Sequence, residues 1–343
     1  MGTANAHQQS RYPAPPRTVK RVNQQSRFQS APRQQIQKPK WQRAESRDRS
    51  GHFWLCFAFP QHPSEMKQMS GSHDPQHNVD TARMPSTGRI NTSMKPADCS
   101  QVAGLSDVGM IRELNEDNWY WGALNETLSL YIVADGMGGH DSGEVASELA
   151  VETLFSNSQE RVAELNEVNE ESLRDLLRSS FEEANRVVVT TGMEQESNMG
   201  TTLCAILVNE NKDVVVGNVG DSRIYLLRNG VLSQISQDHS LVAFLVQLGE
   251  LSESEARDHP SGNILVRSIG SMMDVEVDLF HLKAQDGDRI LLCSDGLWGE
   301  VPDDELTSLL LEHNNPSKAC TALINAANEH GGKDNSTLIV VDV

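Results

Sequence analysis

"LYIVADGMGGH", residues 130–140, decides how this 343-residue chain is read. Leu130 to Ala134 form a short apolar run of strand character. Asp135 interrupts it, three glycines and Met137 follow, and a helical pattern starts near Gly143. Asp-Gly is a common turn pair, so one instance has an ordinary explanation. The device recurs, however. "RILLCSDGLW" (289–298) runs into Asp295-Gly296, and "GGKDNSTLIV" (331–340) sets Asp334 just before an apolar run. "RELNEDNW" (112–119) places Glu116 and Asp117 before another, and "VVVGNVGDSRIYLL" (214–227) holds Asp221 between two. Five aspartates thus flank apolar strands, whose ends can meet in one cleft.

Carboxylates gathered in a cleft repel one another and resist ionisation unless cations lie between them. Oxygen donors with no Cys or His ligand spacing suit Mg²⁺ or Mn²⁺ rather than Zn²⁺. Gly136 is expected to bend the backbone and expose its carbonyl, and Gly138-Gly139 to leave room for water and substrate. Arg112, four residues before Glu116, carries a planar fork suited to a phosphate. It could equally pair with Glu113 or Glu116 on the surface.

The charge is unevenly spread. Residues 1–100 hold 15 Lys and Arg against 6 Asp and Glu, a net of +9, and the remainder holds 14 against 42, a net of −28. The acidic part argues against nucleic acid as a main ligand, because phosphate backbones are met by Lys and Arg. The first hundred residues are rich in Gln, Ser, Pro and Arg without a sustained period, which predicts a disordered basic extension. Met84 and Met94 are alternative starts. No run approaches membrane-spanning length, "FWLCFAF" (53–59) being the longest tempting one. Five cysteines, none in a C-x-x-C pair, fit a reducing cytoplasm, with no membrane association.

From about residue 101 the chain reads as one domain. Strands are expected at 130–134, 202–208, 213–219, 223–228, 289–294 and 336–343. Helices are expected at about 143–157, 171–191, 303–313 and 317–330, the last closed by Gly331-Gly332. Strands in hairpin-length neighbours favour antiparallel sheets with helices packed outside.

The stretches "SDVGMIRELNED" (106–117), "VADGMGGH" (133–140), "MGTTL" (199–203), "VGNVGDSRIY" (216–225), "QDHSLV" (237–242), "SDGLW" (294–298) and "KDNST" (333–337) resemble, in order, the motifs of the metal-dependent PPM/PP2C protein phosphatases, in their bacterial serine/threonine form. The resemblance covers about residues 102–343. It implies an α+β four-layer sandwich, two central antiparallel sheets flanked by helices. It implies hydrolysis of phosphoserine and phosphothreonine by a water or hydroxide bridging two metal ions. By motif, Asp135 would bridge the two ions, Asp295 and Asp334 would bind one, and Asp117 with the Gly136 carbonyl would bind the other. Asp221 would hold a third, weaker ion, and Arg112 the phosphate. Residues 240–270 resemble the family's mobile flap. The implied cofactors are Mn²⁺ or Mg²⁺. The implied partners are phosphorylated Ser/Thr proteins and a Ser/Thr kinase that the enzyme opposes, with the phosphatase a monomer. Met137 stands where animal members have a His, which leaves the general acid to His140 or water. The rival readings are a phosphoprotein-binding regulator of the same fold with little catalysis, and a phosphatase acting on anti-sigma antagonist proteins. A dinucleotide loop fails on spacing, since Asp141 occupies the third-glycine position.

Overall fold

The computed structural model describes residues 45–47, 53–55, 101–138, 142–257 and 259–343. Most of the proposed basic extension, Met84, Met94, Cys56, Cys99 and His140 lie outside the described residues. A short ribbon, β1 (Glu45–Arg47) and β2 (Phe53–Leu55), pairs antiparallel with itself.

Two antiparallel sheets carry the rest. One is built from β3 (Val102–Asp107), β9 (Arg223–Arg228), β10 (Val231–Gln234), β12 (Arg289–Cys293) and β13 (Ser336–Asp342), in the order β10-β9-β12-β13-β3. The other contains β4 (Asp117–Ala123), β5 (Leu128–Met137), β7 (Leu203–Asn209), β8 (Asp213–Val219) and β11 (Asp278–Lys283), in the order β11-β8-β7-β5-β4. The two-residue β6 (Gly200–Thr201) pairs with the end of β5.

Side-chain alternation assigns each face. On β5, Leu130, Ile132 and Ala134 pack with α1 (Ser142–Val162) and α2 (Glu170–Gln195), through Ala146, Ala150, Leu154, Leu177 and Phe181. The alternate residues Tyr131 and Val133 join Cys204, Ile206, Ile290, Leu292, Ile339 and Val341 in a second core between the sheets. On the far side Leu291, Cys293, Leu338 and Val340 meet α5 (Asp295–Trp298), α6 (Asp303–Glu312) and α7 (Pro316–Glu329), through Leu297, Leu306, Leu310 and Leu323. The layers therefore run helix, sheet, sheet, helix. Strands buried on both faces lose the polar half of the usual antiparallel alternation, which explains their continuous apolar character.

The helix ends follow local chemistry. Asn169 caps α2 in a reciprocal box with Ser172, whose backbone N–H lies 3.0 Å from the Asn169 Oδ1. Asn315 caps α7, Pro316 opens it, and the chain leaves it through Gly331 and Gly332, both at positive φ. Two short helices, α3 (Leu241–Gln247) and α4 (Glu253–Arg257), lie in the segment likened to a flap. Among the described residues, no helix is long and apolar enough to cross a membrane.

Candidate metal centre

Strand register gathers the five aspartates at one end of the sandwich. Asp117 opens β4 and Asp135 lies near the end of β5, and the two are directly opposed across that pair. Both share the parity of Trp119 and Val133, so they face the inter-sheet layer. Opposed like charges destabilise a strand pair unless something lies between them. The other sheet brings its own contributions to this end. Asp221 precedes β9, Asp295 follows β12 and Asp334 precedes β13, and Arg223 is register-paired with Cys293.

The carboxylates sense one another. Burial holds the Asp135 carboxyl well above its ordinary range, and Asp117, Asp295, Asp221 and Asp334 push it further. Burial lifts Asp117 to about 8, against hydrogen bonds from Thr337 and Ser294 that oppose the shift. Burial, followed by the charge of Asp334, lifts Asp295 to about 6. Asp221 is raised by burial and by the charges of Asp295 and Asp238.

The residues present fit a hard divalent cation. Asp117 Oδ1 and Asp295 Oδ1 are buried oxygens without a hydrogen-bond partner. An orphaned carboxylate oxygen is costly, and a cation satisfies it. Among the described residues no three His, Cys, Asp or Glu side chains are already drawn in around one point, so the carboxylates would have to move in on an ion, with water completing its shell.

The surrounding polar residues orient these groups. Ser294 Oγ donates to Asp117 Oδ2 at 2.8 Å, linking the two sheets. The Asp135 N–H donates to Thr202 Oγ1 at 2.9 Å, and Thr202 Oγ1 meets Ser222 Oγ at 2.7 Å, beside Asp221. Buried Asn335 accepts from the Glu116 N–H at 2.8 Å and donates to the carbonyls of Val108 and Leu114. Ser294, Thr202, Ser222 and Asn335 all lie inside the quoted motifs. As short polar residues beside an aspartate, they offered no signal of their own.

Two sequence expectations change. Asp135 does not end its strand, because β5 continues to Met137 and pairs with β6. Gly136 does not bend the chain either. It is glycine because α1 approaches so closely that a Cβ there would sit 2.1 Å from the Gly143 carbonyl oxygen. The true turn glycine is Gly220, at φ +109 beside Asp221.

Arg112 donates to Asp334 Oδ2 at 2.7 Å and lies 3.9 Å from Glu116, with a half-exposed side chain at the cleft mouth. Asp221 does not pair with Arg223 as a simple turn residue would. Arg223 is committed to Asp238 at 2.7 Å and stacks 3.5 Å above the Trp298 ring, while the Trp298 indole N–H donates to the Asp221 carbonyl.

A two-sheet sandwich flanked by helices, with clustered aspartates at one end, is the architecture of a metal-dependent phosphatase. A family profile for protein phosphatase 2C matches residues 112–332. The chain is 43% identical over 239 residues to the serine/threonine phosphatase stp of Listeria monocytogenes, covering 69% of this chain and 93% of that protein. The S. agalactiae serine/threonine phosphatase structure superposes with a TM-score of 0.66 at 35% identity, over 71% of this chain and 99% of the other. The catalytic domain of the phosphatase PstP, solved in complex with two manganese ions, superposes with a TM-score of 0.61 at 35% identity, over 71% and 97%. The chain belongs to the protein phosphatase 2C family and is a metal-dependent serine/threonine protein phosphatase.

Proposed function

We propose that Asp135 would serve both of two divalent ions, that Asp295 and Asp334 would help to hold one, and that Asp117 and the Gly136 carbonyl would help to hold the other. The opposed pair Asp117 and Asp135, facing the aspartates of the second sheet, with Asp117 Oδ1 and Asp295 Oδ1 buried and unpartnered, is the observation that carries this reading. When bound, Mn²⁺ or Mg²⁺ supplies Lewis acidity that lowers the pKa of a coordinated water from about 15.7 towards about 7.

The chain's own residues do the rest. Asp117, Asp135, Asp295 and Asp334 would hold the cations. Arg112 neutralises the phosphoryl oxygens, and its link to Asp334 aims the guanidinium at the same point. Water attacks phosphorus in line with the Ser or Thr oxygen; the P–O bond to that oxygen breaks, the departing oxygen takes a proton from solvent, and no covalent phosphoenzyme forms. The buried thiols of Cys204, Cys293 and Cys320 are unsuited as nucleophiles. Burial raises all three, Cys320 to about 12.

Asp221 would hold a third, weaker ion. It is buried beside Asp295, and its neighbouring arginine is engaged elsewhere. The substrates are phosphoserine and phosphothreonine proteins, and the enzyme opposes a Ser/Thr kinase. Free cysteines support a reducing, cytoplasmic setting.

The test is hydrolysis of a phosphothreonine peptide across a Mn²⁺ titration, for wild type and Asp135→Asn. Wild type should turn over and be silenced by EDTA, and the variant should lose on the order of 100-fold or more in kcat, as when a preorganised charge donor is removed. Activity of the variant within tenfold of wild type at saturating Mn²⁺ would overturn the assignment.

A further inference from the structure

A second feature opens beside the carboxylates. It is a groove of about 580 Å³ walled by five of the chain's 11 methionines, Met137, Met193, Met199, Met272 and Met273. Met193, Met272 and Met273 expose 67%, 73% and 58% of their surface, although thioethers of this size are ordinarily buried. They come from separate segments, the end of α2 and the loop after Gly270. Their convergence is therefore a product of the fold and not of one apolar run.

The loop is held open by dedicated polar contacts. Asn185, fully buried on α2, accepts from the Gly270 N–H at 2.9 Å and donates to the carbonyls of Met272 and Met273 at 2.9 and 3.0 Å. Thr201 and Ile269 exchange two backbone hydrogen bonds at 3.0 and 2.9 Å, which ties the same loop to β6. The backbone is fixed while the methionine side chains point outward. On the other wall Met137 sits two residues beyond Asp135 on β5, with the same parity. Two residues of strand span about 7 Å, so Met137, which lines the groove, stands within a few ångströms of Asp135. Among the described residues lining it, Glu196 is the one that carries a charge.

We infer that this groove receives a long apolar side chain flanking the phosphorylated residue of a phosphoprotein substrate, and so sets sequence preference. The inference rests on the phosphatase reading above. A peptide whose phosphoryl group lies at Asp135 must carry its neighbours out of the cleft, and an extended chain places a residue one or two positions away over the methionines. A wall of flexible, polarizable side chains fits Leu, Ile, Met or Phe alike. It selects for an apolar flank without demanding one shape, as expected of an enzyme with several substrates.

The test uses the full chain with Mn²⁺, as wild type and as the triple variant Met193→Ser/Met272→Ser/Met273→Ser. All three residues are exposed, so folding is not at stake. The substrates are p-nitrophenyl phosphate and two sets of phosphothreonine peptides, carrying Leu or Ser at the one or two positions on either side. Wild type should favour a Leu peptide by on the order of tenfold in kcat/KM, the discrimination an apolar pocket provides. The triple variant should lose that preference through KM and keep its rate on p-nitrophenyl phosphate within twofold. A wild type indifferent to Leu, or a variant that retains the preference, overturns the inference while leaving the phosphatase assignment intact. Failure of wild type on p-nitrophenyl phosphate as well as on every peptide would instead bring down the phosphatase reading itself.

Discussion

Asp117 shows how far a single residue can be moved from its ordinary chemistry. Its carboxyl is lifted to about 8 by burial, and Asp135 is lifted with it. An acid whose folded pKa lies above its unfolded value binds more protons folded than unfolded between the two values. Stability then falls as pH rises through that window. The metal-free protein should therefore be most stable near pH 5 and lose several degrees of Tm by pH 8, as Asp295 and then Asp117 are forced to ionise. Mn²⁺ should reverse the loss at pH 8 and do little at pH 5, where protons already occupy the carboxylates. Scanning calorimetry with EDTA and with Mn²⁺ at the two pH values checks this. A metal-free Tm that climbs from pH 5 to pH 8 would show that these carboxylates are paired in another way.

At the scale of elements, the flap meets the Asp221 turn through His239, whose backbone N–H donates to the Gly220 carbonyl at 3.0 Å. The Gly220 N–H donates to His239 Nδ1 at 3.1 Å, which leaves the ring proton on Nε2, facing Asp278 Oδ2 at 3.1 Å. Arg267, at the end of the flap, pairs with Asp278 at 2.6 Å, and the Val266 N–H donates to the His239 carbonyl. Burial keeps His239 below its usual pKa, consistent with a neutral ring. His239→Ala should leave the Gly220 N–H unpaired and cost about 1–3 kcal/mol. It should also weaken the Mn²⁺ dependence assigned to Asp221, and His239→Asn, which can still accept at the same place, should recover part of both. Equal loss in the two variants, followed by Tm and Mn²⁺ titration, would show that ring packing and not the accepted hydrogen bond matters. This clasp was not legible in the sequence, where "QDHSLV" was only a motif. Nor were β3, β10 or β11, whose half-exposed residues carry no apolar run. The central strands were legible within one to three residues because both of their faces are buried. The aspartates stood out because each lies within or at the end of such an apolar strand. Their orienting partners were not, since a serine or asparagine announces its role only through what it touches.

For the whole molecule, the two large sheets, the three apolar cores seen among the described residues and the family motifs lie within residues 102–343. We propose that the domain is self-sufficient and that the basic first hundred residues serve something other than turnover. Deleting residues 1–95 should leave kcat/KM on a phosphopeptide within twofold and Tm within about 2 °C. A soluble truncation that has lost turnover would place the domain boundary earlier.

Aliphatic side chains close the inter-sheet layer along most of its length, whereas like charges meet at the end where Asp117 and Asp135 face the second sheet. Such a sandwich is zipped along its body and sprung at one lip. Amide hydrogens of β4, β5, β12 and β13 nearest that lip should exchange with deuterium fastest in the empty protein. Cations would act there as rivets, so the ions needed for hydrolysis would also decide how long the two sheets stay shut at that end.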